Sequence, residues 1–266
     1  MIKNIKEILN EVAMENHLDK PDNRRLSTGF TQLDGIIGLN NLNSGYLICL
    51  ASRPGMGKST FMLDLLLNLA ISSGREILHI TNEKTEKQIV VSLIQKLNGA
   101  DVNPERKPYD SGAPDSMSSA LSVLSQLNIS IISYSESCES IKNTLSIIGK
   151  PAAVLIDGFE AISRDFEKDF MMLRNLCKNL NIPIIITMWT QQMQEDHFRP
   201  MLSDVHLLVA KFADSVWLLH RDSYFDMGEN KIDNNPNPEL IICKNRNGEI
   251  GTIQLDFDGK TKSFIE

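Results

Sequence analysis

A glycine-rich run ending in a lysine and a serine has the residue types and spacing that bind a nucleoside triphosphate. The run reads Ser52-Arg53-Pro54-Gly55-Met56-Gly57-Lys58-Ser59-Thr60, between an apolar strand-like segment and a helical segment. Glycines let backbone N–H groups approach phosphates, and the following helix adds its N-terminal donors and dipole. We expect Lys58, exposed in the loop, to reach the β- and γ-phosphates, and the Ser59 hydroxyl to hold Mg²⁺. The general pattern G-x-x-x-x-G-K-[ST] is missed at its first position, where Ser52 stands.

Two further groups are needed for hydrolysis, a carboxylate that supports the metal and a group that activates water. Asp157 ends the apolar run 152–157, and the carboxyl ends of parallel strands are where α/β sheets bind ligands. Glu83 follows the strand-like run 76–81 and emerges at the same edge. Glu160, three residues after Asp157, competes with Glu83 for the water-activating role. Position alone does not separate these two candidates.

A pair of cations lies near the end of the chain, in Lys244-Asn245-Arg246-Asn247-Gly248. The Asn-Gly step predicts a type I′ hairpin turn, which by itself explains the segment structurally. Lys244 and Arg246 nevertheless share one strand face by the period of two. Projecting together, these two cations could neutralise a transferring γ-phosphate.

The elements that must position these residues alternate between strands and helices. Continuous apolar strands separated by helical patterns predict an α/β fold with a mainly parallel central sheet flanked by helices, and C-terminal β-hairpins follow. The predicted strands are 46–51, 76–81, 129–133, 152–157, 183–189, 215–219, 239–243 and 252–257. The predicted helices are 59–73, 85–98, 115–127, 138–148 and 167–180.

We divide the chain into an N-terminal segment, residues 1–25, and one domain, residues 26–266. Ile2, Ile5, Leu9 and Val12 share one face, which predicts an amphipathic helix followed by a polar linker. That helix could pack on its own domain or on a neighbouring subunit.

Composition restricts the class of protein. The net charge of −7 argues against a generally basic DNA-coating protein, although a few cationic loops would suffice for DNA contact. No apolar run has the length of a membrane span, so we expect no membrane association. The 4 cysteines are widely spaced, which indicates neither a zinc site nor disulfides and favours a reducing cytoplasm.

With these pieces placed, the sequence from about Leu26 to the C-terminus resembles the RecA-fold motor domain of the DnaB-like replicative helicases. The family's opening motif is matched by Ser27-Thr28-Gly29-Phe30-Thr31-Gln32-Leu33-Asp34. A non-Gly first position with Arg-Pro and Met-Gly-Lys is the family's habit in the phosphate loop, which accounts for Ser52. Three further matches follow in order, Asn82-Glu83, Ile156-Asp157 and Lys244-x-Arg246-Asn247-Gly248, and His220-Arg221-Asp222 is a weaker one.

The resemblance implies roles for these residues. Glu83 becomes the catalytic acid in preference to Glu160, Asp157 supports Mg²⁺, and Arg221 lies near the nucleotide. Lys244 and Arg246 would complete the ATP site of the adjacent subunit. The family's function further implies a homohexameric ring that moves along single-stranded DNA, and a primase or helicase loader as partner.

Some features depart from the family pattern. Trp189 stands where the family's strand ends in a Gln that senses the γ-phosphate, and Gln191 could substitute for it if the strand continues. Two segments would face the central channel of the ring. Residues 158–168 form a short segment, and residues 194–212 lack a glycine-rich stretch. Their candidate phosphate contacts are few: Arg164, Lys168, Arg199, His206 and Lys211.

The departures leave two hypotheses from different classes. The first is an ATP-driven DNA helicase motor. The second is an ATP-binding accessory or regulatory protein of the same fold with little or no motor activity. A RecA-like recombination ATPase shares the fold but fits the phosphate loop and the Lys-x-Arg segment less well.

Overall fold

The computed structural model describes residues 25–98, 114–133, 137–191, 199–221 and 237–266. The predicted helix within residues 2–13, and all of the predicted linker except Arg25, lie outside the described residues. Among the helices of the described residues, none combines the length and apolar composition needed to cross a bilayer.

An 8-stranded sheet forms the centre of the domain, in the order β3-β2-β4-β5-β1-β6-β7-β8. Its strands are β1 (Leu47–Ser52), β2 (Ile77–Thr81), β3 (Ile129–Ser133), β4 (Ala153–Asp157), β5 (Ile184–Trp189), β6 (Ser215–His220), β7 (Glu239–Asn245) and β8 (Gly251–Gln254). The strands from β3 to β6 pair in parallel, whereas β7 and β8 are antiparallel. The predicted α/β architecture with C-terminal hairpins is confirmed.

Helices cover both faces of the sheet. They are α1 (Thr31–Ile37), α2 (Leu39–Leu42), α3 (Lys58–Ser73), α4 (Glu86–Asn98), α5 (Pro114–Gln126), α6 (Cys138–Ile148), α7 (Phe159–Ile162), α8 (Phe166–Leu180) and α9 (Leu207–Phe212). The five predicted helices agree with the structure to within one residue at each end. Sequence reasoning missed α1, α2, α7 and α9, because helices of one or two turns are too short to show a 3.6-residue period.

Strand β1 is buried on both faces, which explains its continuous apolar sequence. Ile48 and Leu50 belong to one core cluster together with α3, whereas Leu47, Cys49 and Ala51 belong to the cluster on the opposite face. Parallel sheets covered by helices read as unbroken apolar runs for this reason. The phosphate loop therefore leaves the sheet from a strand that is fixed on both sides.

The predicted type I′ turn at Asn247-Gly248 is wrong. Neither residue has a positive φ, and residues 246–250 form a longer connection between β7 and β8. Glycine is needed at 248 for space, because a Cβ there would lie 2.2 Å from Asn245 Nδ2 and 2.5 Å from the Ile36 carbonyl oxygen. The Asn245 amide donates to the carbonyls of Ile36 (2.8 Å) and Glu249 (3.1 Å), and these bonds close the loop.

The predicted strand 252–257 divides into two. β8 ends at Gln254, and β9 (Asp256–Asp258) pairs instead with β10 (Ser263–Ile265) in a separate 2-stranded sheet. The chain leaves the main sheet because Leu255 is buried and Phe257 packs against Phe264, with ring centroids 5.1 Å apart. Phe264 in turn packs on Phe61 of α3, so the C-terminal hairpin supports the helix that follows the phosphate loop.

Candidate active site

The carboxyl ends of five neighbouring parallel strands carry the residues singled out in the sequence. In the sheet order they are β2, β4, β5, β1 and β6. At or just beyond their ends lie Glu83, Asp157 with Glu160, Trp189, the phosphate loop and Arg221, respectively. The parallel topology thus brings together side chains that are far apart in the sequence, at the edge where such sheets bind ligands.

The phosphate loop has a backbone that its two glycines permit. Gly55 and Gly57 have φ of 81° and 100°, a left-handed region that costs other residues energy. A Cβ at Gly57 would also lie 2.9 Å from the ring of Phe264, so the C-terminal hairpin closes the space beneath the loop. Gly57 directly precedes α3, whose first-turn N–H groups face the loop. This arrangement fits a phosphate chain, since it offers backbone donors and a helix dipole.

Lys58 is buried rather than exposed, contrary to the sequence prediction, with a relative exposure of 9%. Its ammonium donates to the Ser52 carbonyl oxygen and Ser52 Oγ, both at 3.2 Å, and to the Arg53 carbonyl oxygen at 3.4 Å. Burial lowers the pKa of Lys58, and the carboxylates of Glu160, Glu83 and Asp157 oppose that shift. The serine at the first loop position therefore supplies a side-chain acceptor to the lysine, a contact that a glycine could not make.

Ser59, Glu83 and Asp157 lie together at the start of α3. Ser59 Oγ donates to Glu83 Oε2 at 2.8 Å. Asp157 Oδ1 accepts from Thr187 Oγ1 at 2.8 Å, and the Thr187 oxygen accepts from the Gly158 N–H at 2.7 Å. A hydroxyl beside two carboxylates is the oxygen-rich donor set that Mg²⁺ prefers, so these residues fit the metal.

Burial raises the pKa of the Asp157 carboxyl, and the hydroxyls of Thr187 and Ser59 and the nearby cations Lys84 and Lys58 oppose the rise. Asp157 is 3% exposed, so any charge it carries must be balanced locally. A bound divalent cation would supply that balance. Thr187, which holds the carboxylate, was not identified from the sequence, because a threonine inside a buried strand carries no distinctive signal.

Glu160 and Glu83 differ in their hydrogen bonds. Glu160 Oε1 accepts the backbone N–H of Trp189 at 2.5 Å, which ties the loop after β4 to the end of β5. Burial raises the pKa of the Glu160 carboxyl. Glu83, by contrast, is exposed and contacts the hydroxyl expected to hold the metal. Glu83, and not Glu160, is thus the carboxylate bonded to Ser59, and its catalytic role stays a prediction.

A cleft of about 290 Å³ lies over these groups, lined by Pro54, Gly55, Gly57, Lys58, Ser59, Thr60, Glu83 and Trp189. Trp189 is 54% exposed at its rim. β5 ends at this residue, and the Gln191 N–H donates to the Asp204 carbonyl oxygen at 2.7 Å instead of continuing the ladder. The condition under which Gln191 could replace the family's Gln is therefore not met.

The remaining nucleotide-binding candidates flank this cleft. Met56 is buried beneath the loop, and Arg53 is half-buried. Arg221 follows β6, next to β1 in the sheet, and its guanidinium lies 4.8 Å from the centroid of the Phe257 ring. Arg221 is thereby held at the side of the phosphate loop, whereas Asp222 lies outside the described residues.

Lys244 and Arg246 lie at the opposite side of the sheet, where the amino ends of the parallel strands meet (the amino edge). β7 is antiparallel to β6, and Asn245 pairs with Ser215, the first residue of β6. The Lys244 ammonium donates to the carbonyls of Ala210 (2.8 Å) and Lys211 (3.1 Å) at the end of α9. Burial lowers the pKa of Lys244, and the charge of Arg246 lowers it further. The charges of the two cations therefore interact, but Arg246 lies in the turn after β7 and not on the strand face predicted for both. Both are remote from the phosphate loop of their own chain.

Asp214 is the residue of this second region that sequence reasoning missed. Its carboxylate is fully buried, 3.1 Å from Arg246 Nε through Oδ1 and 3.0 Å from Lys178 Nζ through Oδ2. Oδ2 also accepts the Leu47 N–H at 3.0 Å. An aspartate just before an apolar strand reads as a turn residue, so only the structure shows its partners.

The candidate DNA-phosphate contacts are partly engaged within the chain. Arg199 forms a two-point ion pair with Glu239, at 2.7 and 3.0 Å, and also contacts Thr252. His206 packs on Phe166 and caps the N-terminus of α9. Lys211 lies over the Phe212 ring. Arg164 lies in the turn before α8 and Lys168 in the first turn of α8, so these two are nearest in sequence to the end of β4.

Residues 25–266 match the family described as the DnaB-like helicase C terminal domain. The match begins at the first described residue and includes every strand and helix of the fold. It therefore covers both edges of the sheet and all the candidate residues named above.

Curated relatives agree with this family. A replicative DNA helicase DnaB of Geobacillus stearothermophilus is 29% identical over 99% of this chain and 62% of its own length. A replicative DNA helicase DnaC of Bacillus subtilis is 26% identical over 99% of this chain and 62% of its own length. The chain thus spans somewhat less than two thirds of the relatives it matches.

Solved structures share the fold. A structure of a DnaB-like replicative helicase and its interactions with primase superposes with a TM-score of 0.79 at 24% identity, covering 100% of this chain and 67% of that one. A second solved structure, of an isolated ATPase domain, superposes with a TM-score of 0.78 at 24% identity, covering 100% of this chain and 99% of that domain. The described part of the chain is therefore accounted for by one known architecture.

Proposed function

The chain belongs to the DnaB-like helicase C-terminal domain family, and from that premise we propose that it is the ATP-hydrolysing motor of a replicative DNA helicase. In this proposal several copies form a ring, ATP and Mg²⁺ bind between adjacent copies, and hydrolysis moves the ring along single-stranded DNA.

The observation that carries this proposal is the placement of the phosphate loop and of Lys244 and Arg246 at opposite edges of one sheet. β1 has 6 residues. At about 3.3 Å per residue, its two ends are roughly 20 Å apart. Arg246 cannot reach across that distance to the phosphate loop of its own chain. A site with both parts requires two copies in head-to-tail contact, and repeated head-to-tail contacts form a ring when the rotation between copies closes.

Within such a shared site, each residue has a defined task. The loop from Ser52 to Thr60 would cradle the phosphates through its N–H groups, and Lys58 would exchange its loop carbonyls for phosphate oxygens. Ser59 and Asp157 would hold Mg²⁺, which would neutralise phosphate charge. Glu83 would orient and deprotonate the attacking water. Lys244 and Arg246 of the adjacent copy would stabilise the charge on the transferred phosphoryl group.

The proposed partners follow from the family and from the relatives' names. We propose single-stranded DNA as the track, a homohexamer as the assembly, and a primase or a helicase loader as a protein partner. Replication in a bacterial cell or of a plasmid would place the protein in the cytoplasm. Arg164 and Lys168, nearest to the end of the metal-supporting strand, are the cations we assign to DNA contact.

Three measurements on the full chain test the proposed function. We expect ATPase turnover to rise when single-stranded DNA is added, native mass to show a ring when nucleotide is present, and a forked DNA duplex to be unwound. A protein that binds ATP but shows no DNA-stimulated turnover, no ring and no unwinding would contradict the proposal.

Trp189 is the specific observation that favours the second candidate, an accessory ATP-binding protein. This residue occupies the strand end where the family has a γ-phosphate-sensing Gln, and an indole cannot accept and donate as an amide does. Substitution of Trp189 by Gln separates the two candidates. An accessory protein would gain turnover from this change, whereas a motor already adapted to tryptophan would lose it or stay unchanged.

A further inference from the structure

Asp214 is a fully buried carboxylate that balances two half-exposed cations. Arg246 and Lys178 are 43% and 44% exposed, whereas the side chain of Asp214 is 0% exposed. A buried charge of this kind is costly unless it is paired, and here both carboxylate oxygens are paired. Both cations are paired with this buried carboxylate, so they reach the surface side by side at the amino edge.

The anchor itself is rigid. The Asp214 N–H donates to the Leu47 carbonyl oxygen at 2.8 Å, and the Leu47 N–H donates back to Asp214 Oδ2 at 3.0 Å. The Arg246 N–H donates to the Asp214 carbonyl oxygen at 2.8 Å. Asp214 is therefore held by backbone hydrogen bonds on both sides, to β1 and to the chain after β7. These hydrogen bonds fix Asp214, and the ion pair in turn restrains the side chain of Arg246.

The contact to Arg246 is an ion pair whose shortest distance, 3.1 Å, joins Nε to Asp214 Oδ1, without the geometry of a hydrogen bond. Within the described residues, the terminal nitrogens of Arg246 have no other acceptor. An arginine held at Nε still presents its terminal N–H groups, which form the fork that matches phosphate oxygens. An arginine held by both terminal nitrogens would present no such fork. The geometry thus leaves the phosphate-binding part of the guanidinium available.

We propose that Asp214 is a positioning residue for the neighbouring subunit's ATP site, which holds Arg246 at Nε so that its terminal nitrogens meet the neighbour's phosphates. This inference rests on the proposed function, because it requires Arg246 to act across a subunit interface. Lys178 is paired with the same carboxylate as Arg246, so the proposal includes Lys178 as a further cation of the interface. Since Asp214 also bonds to Leu47 of β1, the strand that ends in the phosphate loop, one strand joins a subunit's own cleft to the cation that it offers to its neighbour.

A double-mutant cycle on the full chain separates this role from a purely structural one. Asp214→Asn keeps an oxygen for the Leu47 N–H but removes the charge that holds Arg246. Misplacing a catalytic group by about 1 Å costs on the order of 10²-fold in rate, so we expect kcat to fall by that factor. The KM for ATP should stay within about twofold, because the lost interaction is made only in the transition state. In the Arg246→Ala background the same substitution should lower kcat no further.

Additive losses would overturn the inference. If Asp214→Asn lowers kcat by the same factor with and without Arg246, the residue acts through the fold alone. If it leaves kcat unchanged, it does not position Arg246. Failure of the proposed function looks different, since Arg246→Ala would then itself retain wild-type kcat. Glu249→Gln is the matched control, because it removes an exposed acid from the same loop and should leave kcat unaltered.

Thermal unfolding of each variant accompanies the cycle. If Asp214→Asn fails to fold, Arg246→Lys provides the same test at an exposed position. A lysine has no Nε–H donor beside a terminal fork, so it cannot bind Asp214 and two phosphate oxygens in the same way. We expect Arg246→Lys to lose nearly as much kcat as Arg246→Ala. Wild-type kcat in Arg246→Lys would overturn the inference.

Discussion

The two edges of the central sheet are built in different ways although they carry the two parts of one proposed site. At the carboxyl edge, a glycine loop with left-handed backbone, the start of α3, Glu83 and Trp189 line a cleft of about 290 Å³. At the amino edge, Lys244 bonds to carbonyls at the end of α9, and Arg246 pairs with the buried carboxylate of Asp214. The first edge is concave and rich in donors and carboxylates, whereas the second offers cations.

Under the proposed function, neither edge is sufficient for hydrolysis. The cleft has a buried lysine and a hydroxyl and carboxylates that fit Mg²⁺. The amino edge has cations held by backbone carbonyls and by Asp214. A molecule with complementary halves on opposite sides is suited to repeat head to tail. Substitutions at the two edges should therefore have separable effects.

The largest expected effect comes from Lys58→Ala, at the carboxyl edge. We expect ATP affinity to fall about 10²- to 10⁴-fold, because two charge-assisted hydrogen bonds of roughly 1.5–3 kcal/mol each are lost. Turnover should disappear with it. Isothermal titration with an ATP analogue measures the affinity. Lys87→Ala, which removes an exposed lysine, is the control. An equal loss of ATP affinity in both variants would show that Lys58 has no special role in the cleft.

Next in size is Arg246→Ala, at the amino edge. We expect ATPase kcat to fall by roughly 10³-fold or more, with ATP affinity nearly unchanged, because the arginine acts only on transition-state charge. Steady-state turnover and nucleotide titration on the same preparation check the two parts. A loss of ATP affinity as large as that of Lys58→Ala would mean that Arg246 acts in ATP binding and not only in the transition state.

Glu83→Gln sharpens the assignment within the carboxyl edge. Removing a general base lowers kcat by about 10²- to 10⁴-fold, and ATP should still bind. Glu160→Gln is the matched comparison, and it should cost less than about tenfold because an amide oxygen can still accept the Trp189 N–H. Single-turnover hydrolysis distinguishes the two. If the losses are reversed, Glu160 is the water-activating residue.

The smallest expected effect concerns the sheet between the two edges. Burial lowers the pKa of His79 in β2 to about 4, below the value of 6.5 that it has when unfolded. Between these values the unfolded chain binds one more proton than the folded chain, so stability is fully present above pH 6.5 and is lost as the pH falls to about 4. The loss amounts to about 3 kcal/mol.

Denaturant unfolding at several pH values measures this loss. The His79→Asn variant should show a flatter dependence over the same pH range, because the titrating group is gone. This effect lies in the sheet and should weaken both edges alike. A pH dependence unchanged in His79→Asn would assign the acid sensitivity to other groups.

Much of the fold could be predicted because its signals are local. The apolar runs of β1 and β4 and the five longer helices follow from burial and periodicity, which a sequence displays directly. The sequence also placed Glu83, Asp157 and the phosphate loop at one edge, because parallel strands share their direction. What escaped prediction depends on tertiary contacts.

The misses have specific physical reasons. Gly248 is glycine because Asn245 and the Ile36 carbonyl approach it closely, not because its φ is positive. Lys58 is buried because Ser52 and Arg53 offer it oxygen acceptors within the loop. Asp214 meets Lys178 and Arg246 only after the strands are ordered in the sheet. Contacts of this kind are between residues far apart in the chain, and no local pattern records them.

The most direct test of the shared site mixes the two defective variants, Lys58→Ala and Arg246→Ala, in one assembly. Co-expression with different affinity tags and tandem purification would give rings that contain both. About a quarter of the interfaces then join an intact cleft to an intact Arg246, if the copies mix at random. We predict ATPase activity well above the sum of the two separate variants. Activity no greater than that sum, in assemblies shown to contain both variants, would contradict a site divided between adjacent copies.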